Sequence, residues 1–232
     1  MWLHNERLQR LGGGFGERLA VGVLSAVQLF MLNSHKDKEI VQLLRRVRKE
    51  RRSLLTAFES FFLFSTARAQ QKRPGHMAEV GVYAGASAKL ICEARGKAVL
   101  HLFDTFEGLP ESSAKDRGIY LNKRRQYACS LESVQAYLQE YPDVHYYQGR
   151  FPDTAGPISD CTFSFVHLDV DLYESTLACL KFFYPRLNPG SILLSHDYSL
   201  LAGVRAAFDE FLADKPESLI ELPTSQCIVV KL

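Results

Sequence analysis

From Pro74 to the C-terminus, short apolar runs alternate with segments whose apolar residues recur at helical spacing. HMAEVGVYAGAS at His76–Ser87 reads as strand, tight turn and helix, with helix-compatible sequence from Ala86 to Ala94. Ala98–Asp104 (AVLHLFD), Val144–Gln148, Thr162–Asp169 (TFSFVHLD) and Ser191–Asp197 (SILLSHD) read as further strands. Ser130–Tyr141, Tyr173–Tyr184 and Val204–Ala213 have helical patterning, and Gly96, Pro142 and Pro189-Gly190 punctuate the series. Two closing segments, Ser218–Leu222 and Cys227–Lys231, are near enough in sequence to pair antiparallel. This alternation predicts a doubly wound α/β fold with a mostly parallel, seven-stranded sheet. Right-handed crossovers then bring the carboxyl ends of the parallel strands to one edge.

Before Ser53 the pattern is helical only, which sets an N-terminal helical extension (1–53) apart from the α/β domain (54–232). The glycines at 12, 13, 14 and 16 predict a mobile tail. Leu19–Leu32 (LAVGVLSAVQLFML) is an apolar run shorter than the roughly 20 residues a spanning helix needs. It also lacks the short basic leader and cleavage site of a signal peptide. A helix buried against the domain or a partner subunit is expected, and with it a homo-oligomer without stable membrane insertion. Lys36–Arg52 is amphipathic and basic, and Ser53–Gln71 continues helical with Phe58, Phe61, Phe62 and Phe64 as core candidates.

Composition changes this picture little. A formal net charge of +2 with 23% charged residues carries no global nucleic-acid signature. Five scattered cysteines without C-x-x-C pairing argue against a disulfide framework or a zinc cluster and suit a reducing, cytoplasmic setting.

The chemistry-bearing residues gather at the predicted ligand edge. The G-x-x-x-G turn at Gly81–Gly85 follows Glu79 and departs from the G-x-G-x-x-G of dinucleotide folds. Asp104 ends the second strand 25 residues beyond Glu79, near the spacing at which an acid accepts ribose hydroxyls. Asp169 and Asp197 end neighbouring strands, and with His196 they form a donor set suited to magnesium or a similar divalent ion. Asp171 and Glu174 fit a helix capping box, His167 reads as a core histidine, and Thr105–Tyr127, with basic Lys123, Arg124 and Arg125, reads as a lid loop.

From about Leu54 onward the chain resembles the class I S-adenosylmethionine-dependent methyltransferases, and more closely the macrocin O-methyltransferase (TylF-type) family. AEVGVYAGASA at Ala78–Ala88, LFDTFEGLPES at Leu102–Ser112, GRFPDT at Gly149–Thr154, HLDVDLYEST at His167–Thr176 and NPGSILLSHDYS at Asn188–Ser199 carry the resemblance. It implies a Rossmann-like enzyme that moves a methyl group from S-adenosylmethionine to a hydroxyl of a small molecule, often a sugar of a natural product, with Mg2+ near the acceptor. Glu79, Gly81, Tyr83, Gly85 and Ser87 then match the cofactor's methionine site, and Asp104, Thr105 and Phe106 its ribose site. Asp169, His196 and Asp197 match the metal positions, where the family commonly has two adjacent acids in place of His196-Asp197. His196 is therefore either a ligand or, with Asp169 nearby, a catalytic base, and Tyr173 is a second candidate base. A non-catalytic cofactor-binding protein and an N-methyltransferase are the competing readings.

Overall fold

The computed structural model describes residues 15–116 and 127–232. The predicted basic cluster at Lys123, Arg124 and Arg125 and most of the predicted tail lie outside the described residues. Seven strands form one sheet in the order β3-β2-β1-β4-β5-β7-β6. They are β1 (His76–Val80), β2 (Leu100–Asp104), β3 (Val144–Gln148), β4 (Phe163–Leu168), β5 (Leu187–Ser195), β6 (Leu219–Glu221) and β7 (Cys227–Val230). The first five pair in parallel, and β7 lies antiparallel between β5 and β6. β4 is buried at all six positions and β1 at its last four, as the centre of a doubly covered sheet requires.

The helices are α1 (Phe15–His35), α2 (Lys38–Glu50), α3 (Ala57–Gln70), α4 (Ala86–Ala94), α5 (Leu131–Leu138), α6 (Tyr173–Phe183) and α7 (Ala202–Leu212). α2 starts on the Asp37 cap and buries Val41, Leu43, Leu44 and Val47. α3 starts on a capping box of Thr56 and Glu59. α1 packs against α3 through one face. Its inward face carries Ser25, Gln28 and Leu32, and the Gln28 side chain accepts from the Phe58 amide at 3.0 Å. Leu19, Val23, Leu24, Val27, Phe30 and Met31 are exposed. Among the described residues no helix is long and apolar enough to cross a membrane.

Two local expectations fail for identifiable reasons. Pro189-Gly190 lies inside β5 rather than in a turn. The register steps from Phe163↔Leu187 to Phe165↔Ile192, a bulge that absorbs the proline, while the Gly190 amide donates to Lys231. The capping box expected of Asp171 and Glu174 does not form. Leu172 is the N-cap of α6 without a side-chain bond, and the Tyr173 amide is instead satisfied by Asp116 at 2.7 Å.

Candidate active site

The carboxyl edge of the sheet opens on one cleft, lined by Tyr83, Asp104, Thr105, Asp169, His196 and Asp197 among others. Its floor is the turn after β1. Gly81 has φ +91°, and a Cβ there would stand 1.8 Å from the Asp169 carbonyl oxygen, so only glycine lets the two strand ends approach this closely. Gly85, at φ +80°, is the N-cap of α4. Asp104 laces this turn to the end of β2: one carboxylate oxygen accepts from the Val82 and Tyr83 amides at 2.7 and 2.8 Å, the other from the Phe106 amide at 2.7 Å.

The structure brings most of the expected cofactor residues to this cleft, Gly81, Tyr83, Ser87, Asp104 and Thr105 among them. Three do not line it: Gly85, which caps α4, and the side chains of Glu79 and Phe106. Glu79 is fully buried beneath the turn, with one carboxyl oxygen 2.9 Å from His167 Nδ1, and desolvation pushes that carboxyl upward against the pull of the histidine. His167 is thus the core histidine its strand position suggested. The Phe106 ring packs into the core, leaving only its backbone amide to the site. Both residues support the turn from below.

Past the strand ends, Asp169 and His196 continue the ladder through their amides, which donate to Val80 and Leu168 at 2.9 Å each. His196 Nδ1 therefore lies 3.1 Å from Asp169 and 3.2 Å from Asp197. One donor atom from each of these residues falls within 4.8 Å of the others, a nitrogen and two carboxylate oxygens that fit a divalent cation. Burial works against a charge on His196, but Asp197, Asp169 and Glu59 outweigh it and raise its pKa well above the ordinary histidine range.

Two members of this cluster were missed in the sequence. Glu59, from α3, stands 3.6 Å from His196 Nε2, its carboxylate fixed by Thr56 on one oxygen and by the Ser225 hydroxyl at 2.6 Å on the other. Burial opposes its ionisation, yet His196 and these donors hold its pKa well below the usual carboxylate range. The T-x-x-E signature was visible, but as a cap it gave no reason to look further. Asp171, freed from capping and at φ +59°, lines the cleft. Desolvation, then the charges of Asp197 and Asp169, push its pKa well above the ordinary aspartate value. Tyr173, by contrast, is buried with its hydroxyl bonded to Lys115 and Glu210, and it does not line the cleft.

Solved methyltransferases share this fold. The O-methyltransferase NovP superposes with a TM-score of 0.68 over 77% of this chain and 81% of its own, at 24% identity. The calicheamicin methyltransferase CalS11 does so at 0.66, over 89% and 91%, at 20% identity. The architecture is therefore that of a Rossmann-like methyltransferase. More narrowly, the Macrocin-O-methyltransferase (TylF) family model matches residues 64–223, and the chain belongs to that family. A tetracenomycin-C rhamnosyl 4'-O-methyltransferase of Streptomyces olivaceus is 33% identical over 150 residues, 59% of this chain and 58% of that relative. Demethyldecarbamoylnovobiocin O-methyltransferase of Streptomyces niveus is 30% identical over 157 residues, 60% and 59% respectively. The chain thus spans less than two thirds of these relatives.

Proposed function

We propose that this protein transfers the methyl group of S-adenosylmethionine to a hydroxyl of a small molecule, in the first instance a sugar carried by a natural product. One observation carries the reading: a single cleft joins the Gly81–Gly85 turn and Asp104 to the cluster of Asp169, Asp171, His196 and Asp197. The Streptomyces olivaceus relative, named for a rhamnosyl-bearing tetracenomycin, supports the same acceptor class.

In this account Asp104 holds the cofactor's ribose while stiffening the turn against which the methionine end lies. Asp169, His196 and Asp197 would hold a divalent cation, magnesium in the first instance, which when bound supplies Lewis-acid polarisation of the acceptor hydroxyl. His196 would ligate as the neutral imidazole through Nδ1, the nitrogen aimed at the two aspartates, with Glu59 facing Nε2 from the other side. The acceptor oxygen attacks the methyl carbon in line as the sulfur–methyl bond breaks, leaving a methyl ether and S-adenosylhomocysteine. Its proton passes to the Asp171 carboxylate, which lines the same cleft beside these residues. The exposed apolar face of α1 meets a second copy of the chain, and the expected lid at 105–127 lies in part outside the described residues.

The test is a panel of glycosylated acceptors incubated with methyl-labelled S-adenosylmethionine, with magnesium and with EDTA. Labelled methyl ether that depends on magnesium supports the reading. Turnover undiminished by EDTA but abolished in His196→Ala would make His196 the base instead, and no cofactor binding at all would remove the proposal.

A further inference from the structure

At the opposite edge of the sheet, where the parallel strands begin, a second set of donor side chains meets. His76 opens β1, and His101 and His145 sit second on β2 and β3, paired in register. Cys161 lies two residues before Phe163, the β4 residue paired with His76. Four adjacent strands thus contribute, in spatial order, His145, His101, His76 and Cys161. His76 Nδ1 is 2.7 Å from His101 Nε2, and the His101 ring stacks on that of His145 at 5.4 Å. Donor atoms of His76, His101 and Cys161 lie within 4.8 Å of one another, His101 buried and the other two half-buried.

We propose that His76, His101 and Cys161 form a transition-metal site, zinc in the first instance, that staples β1, β2 and the segment entering β4. Two imidazoles and a thiolate are the donors that select zinc over magnesium. Both imidazoles must be neutral to ligate, and they are held so: burial first, then the neighbouring histidines, lowers His101 to about 4 and depresses His76 as well. The Tyr147 hydroxyl, 3.0 Å from His101 Nδ1, orients that ring from behind so that Nε2 faces the site. Binding breaks the His76–His101 hydrogen bond, opening the two nitrogens by about half an ångström to tetrahedral spacing. The Cys161 thiol proton is released to solvent as the sulfur–metal bond forms, and water takes the fourth position on the half-open side. The site lies a strand's length, roughly 15 Å, from the cleft and contains no carboxylate.

That difference in donors makes the test specific. Metal-free full-length protein, reduced with a phosphine, is titrated with Co2+. One equivalent should bring up a near-ultraviolet thiolate-to-cobalt charge-transfer band, which the oxygen-rich cleft cannot produce. Cys161→Ser should lose the band while retaining its far-ultraviolet dichroism and S-adenosylhomocysteine binding. His76→Gln, at a half-buried position, should weaken cobalt binding at least about tenfold. Zn2+ should displace cobalt and raise the melting temperature of both the wild type and Asp169→Asn, but not of Cys161→Ser. No band at saturating cobalt, or a band that survives Cys161→Ser, overturns the proposal, as does a zinc-induced rise in melting temperature undiminished in that variant.

Discussion

Asp104→Ala separates the two tasks assigned to one carboxylate. The structure ties that group to the amides of Val82, Tyr83 and Phe106 at 2.7–2.8 Å, so its removal strips three charge-assisted bonds from the turns after β1 and β2. Such a bond is worth about 1.5–3 kcal/mol when it goes unreplaced. The cleft admits water to the freed amides, so a total of about 3–5 kcal/mol is expected, a large share of a typical folding free energy. If the carboxylate also holds the ribose, S-adenosylhomocysteine affinity falls a further tenfold to hundredfold, from about 1.5–3 kcal/mol of lost bonding. Asp104→Asn is the partner experiment. Its carbonyl oxygen can still take the Val82 and Tyr83 amides, while its amino group confronts Phe106 N–H, so stability should drop by only about 1–2 kcal/mol. Urea melts measure the first quantity and calorimetry on the folded variants the second. Affinity unchanged in both variants would leave Asp104 as a brace for the turn with no part in holding the ribose; unchanged stability in Asp104→Ala would refute the brace.

Gly81→Ala should cost more than about 4 kcal/mol or abolish soluble expression, because the new methyl collides with the backbone of Asp169, whereas Gly156→Ala, with open space around it, should be nearly neutral in the same thermal melts. Asp171→Asn should lower kcat at least about a hundredfold with cofactor affinity unchanged; a kcat within twofold of wild type would remove it as the proton acceptor. The His101 pKa, about 4 in the fold against about 6.5 in the unfolded chain, means that the unfolded state binds more protons as pH falls between these values. Its contribution, up to about 3 kcal/mol, is full above pH 6.5 and is lost as pH drops toward 4, and an NMR titration placing His101 near 6.5 in the native protein would contradict this. Deleting residues 1–33 should leave a monomer by light scattering, since it removes the exposed apolar face of α1; an unchanged assembly mass would place the contact elsewhere.

The parallel sheet and its ligand edge were legible because strand-end acids in successive β/α units must gather on one side. Asp104, Asp169, His196 and Asp197 are found together for that reason alone. Failures arose where one residue had a local role available. Asp171 looked like a cap because Glu174 stands three residues on, and nothing in the sequence revealed that Asp116 would satisfy the Tyr173 amide from 57 positions away. Glu79 and Phe106 each sit in a block that matches the family, and a match in sequence does not reveal that both side chains are buried. The His76, His101 and Cys161 cluster had no spacing to betray it, since its members come from different strands and meet only through sheet register.

The placing of Glu59 3.6 Å behind His196 bears on the charge of the site. Exchanging an acid for a neutral histidine among cation-binding residues removes one negative charge, and Glu59 returns one from the far side of the ring. Both Glu59 and the Ser225 that anchors it lie outside residues 64–223, the span matched by the family model. In this chain, Glu59→Gln alone would leave His196 without the counter-charge on its Nε2 side. The charge balance at the ligand edge of this chain is therefore set in part by residues that stand outside the span it shares with its family.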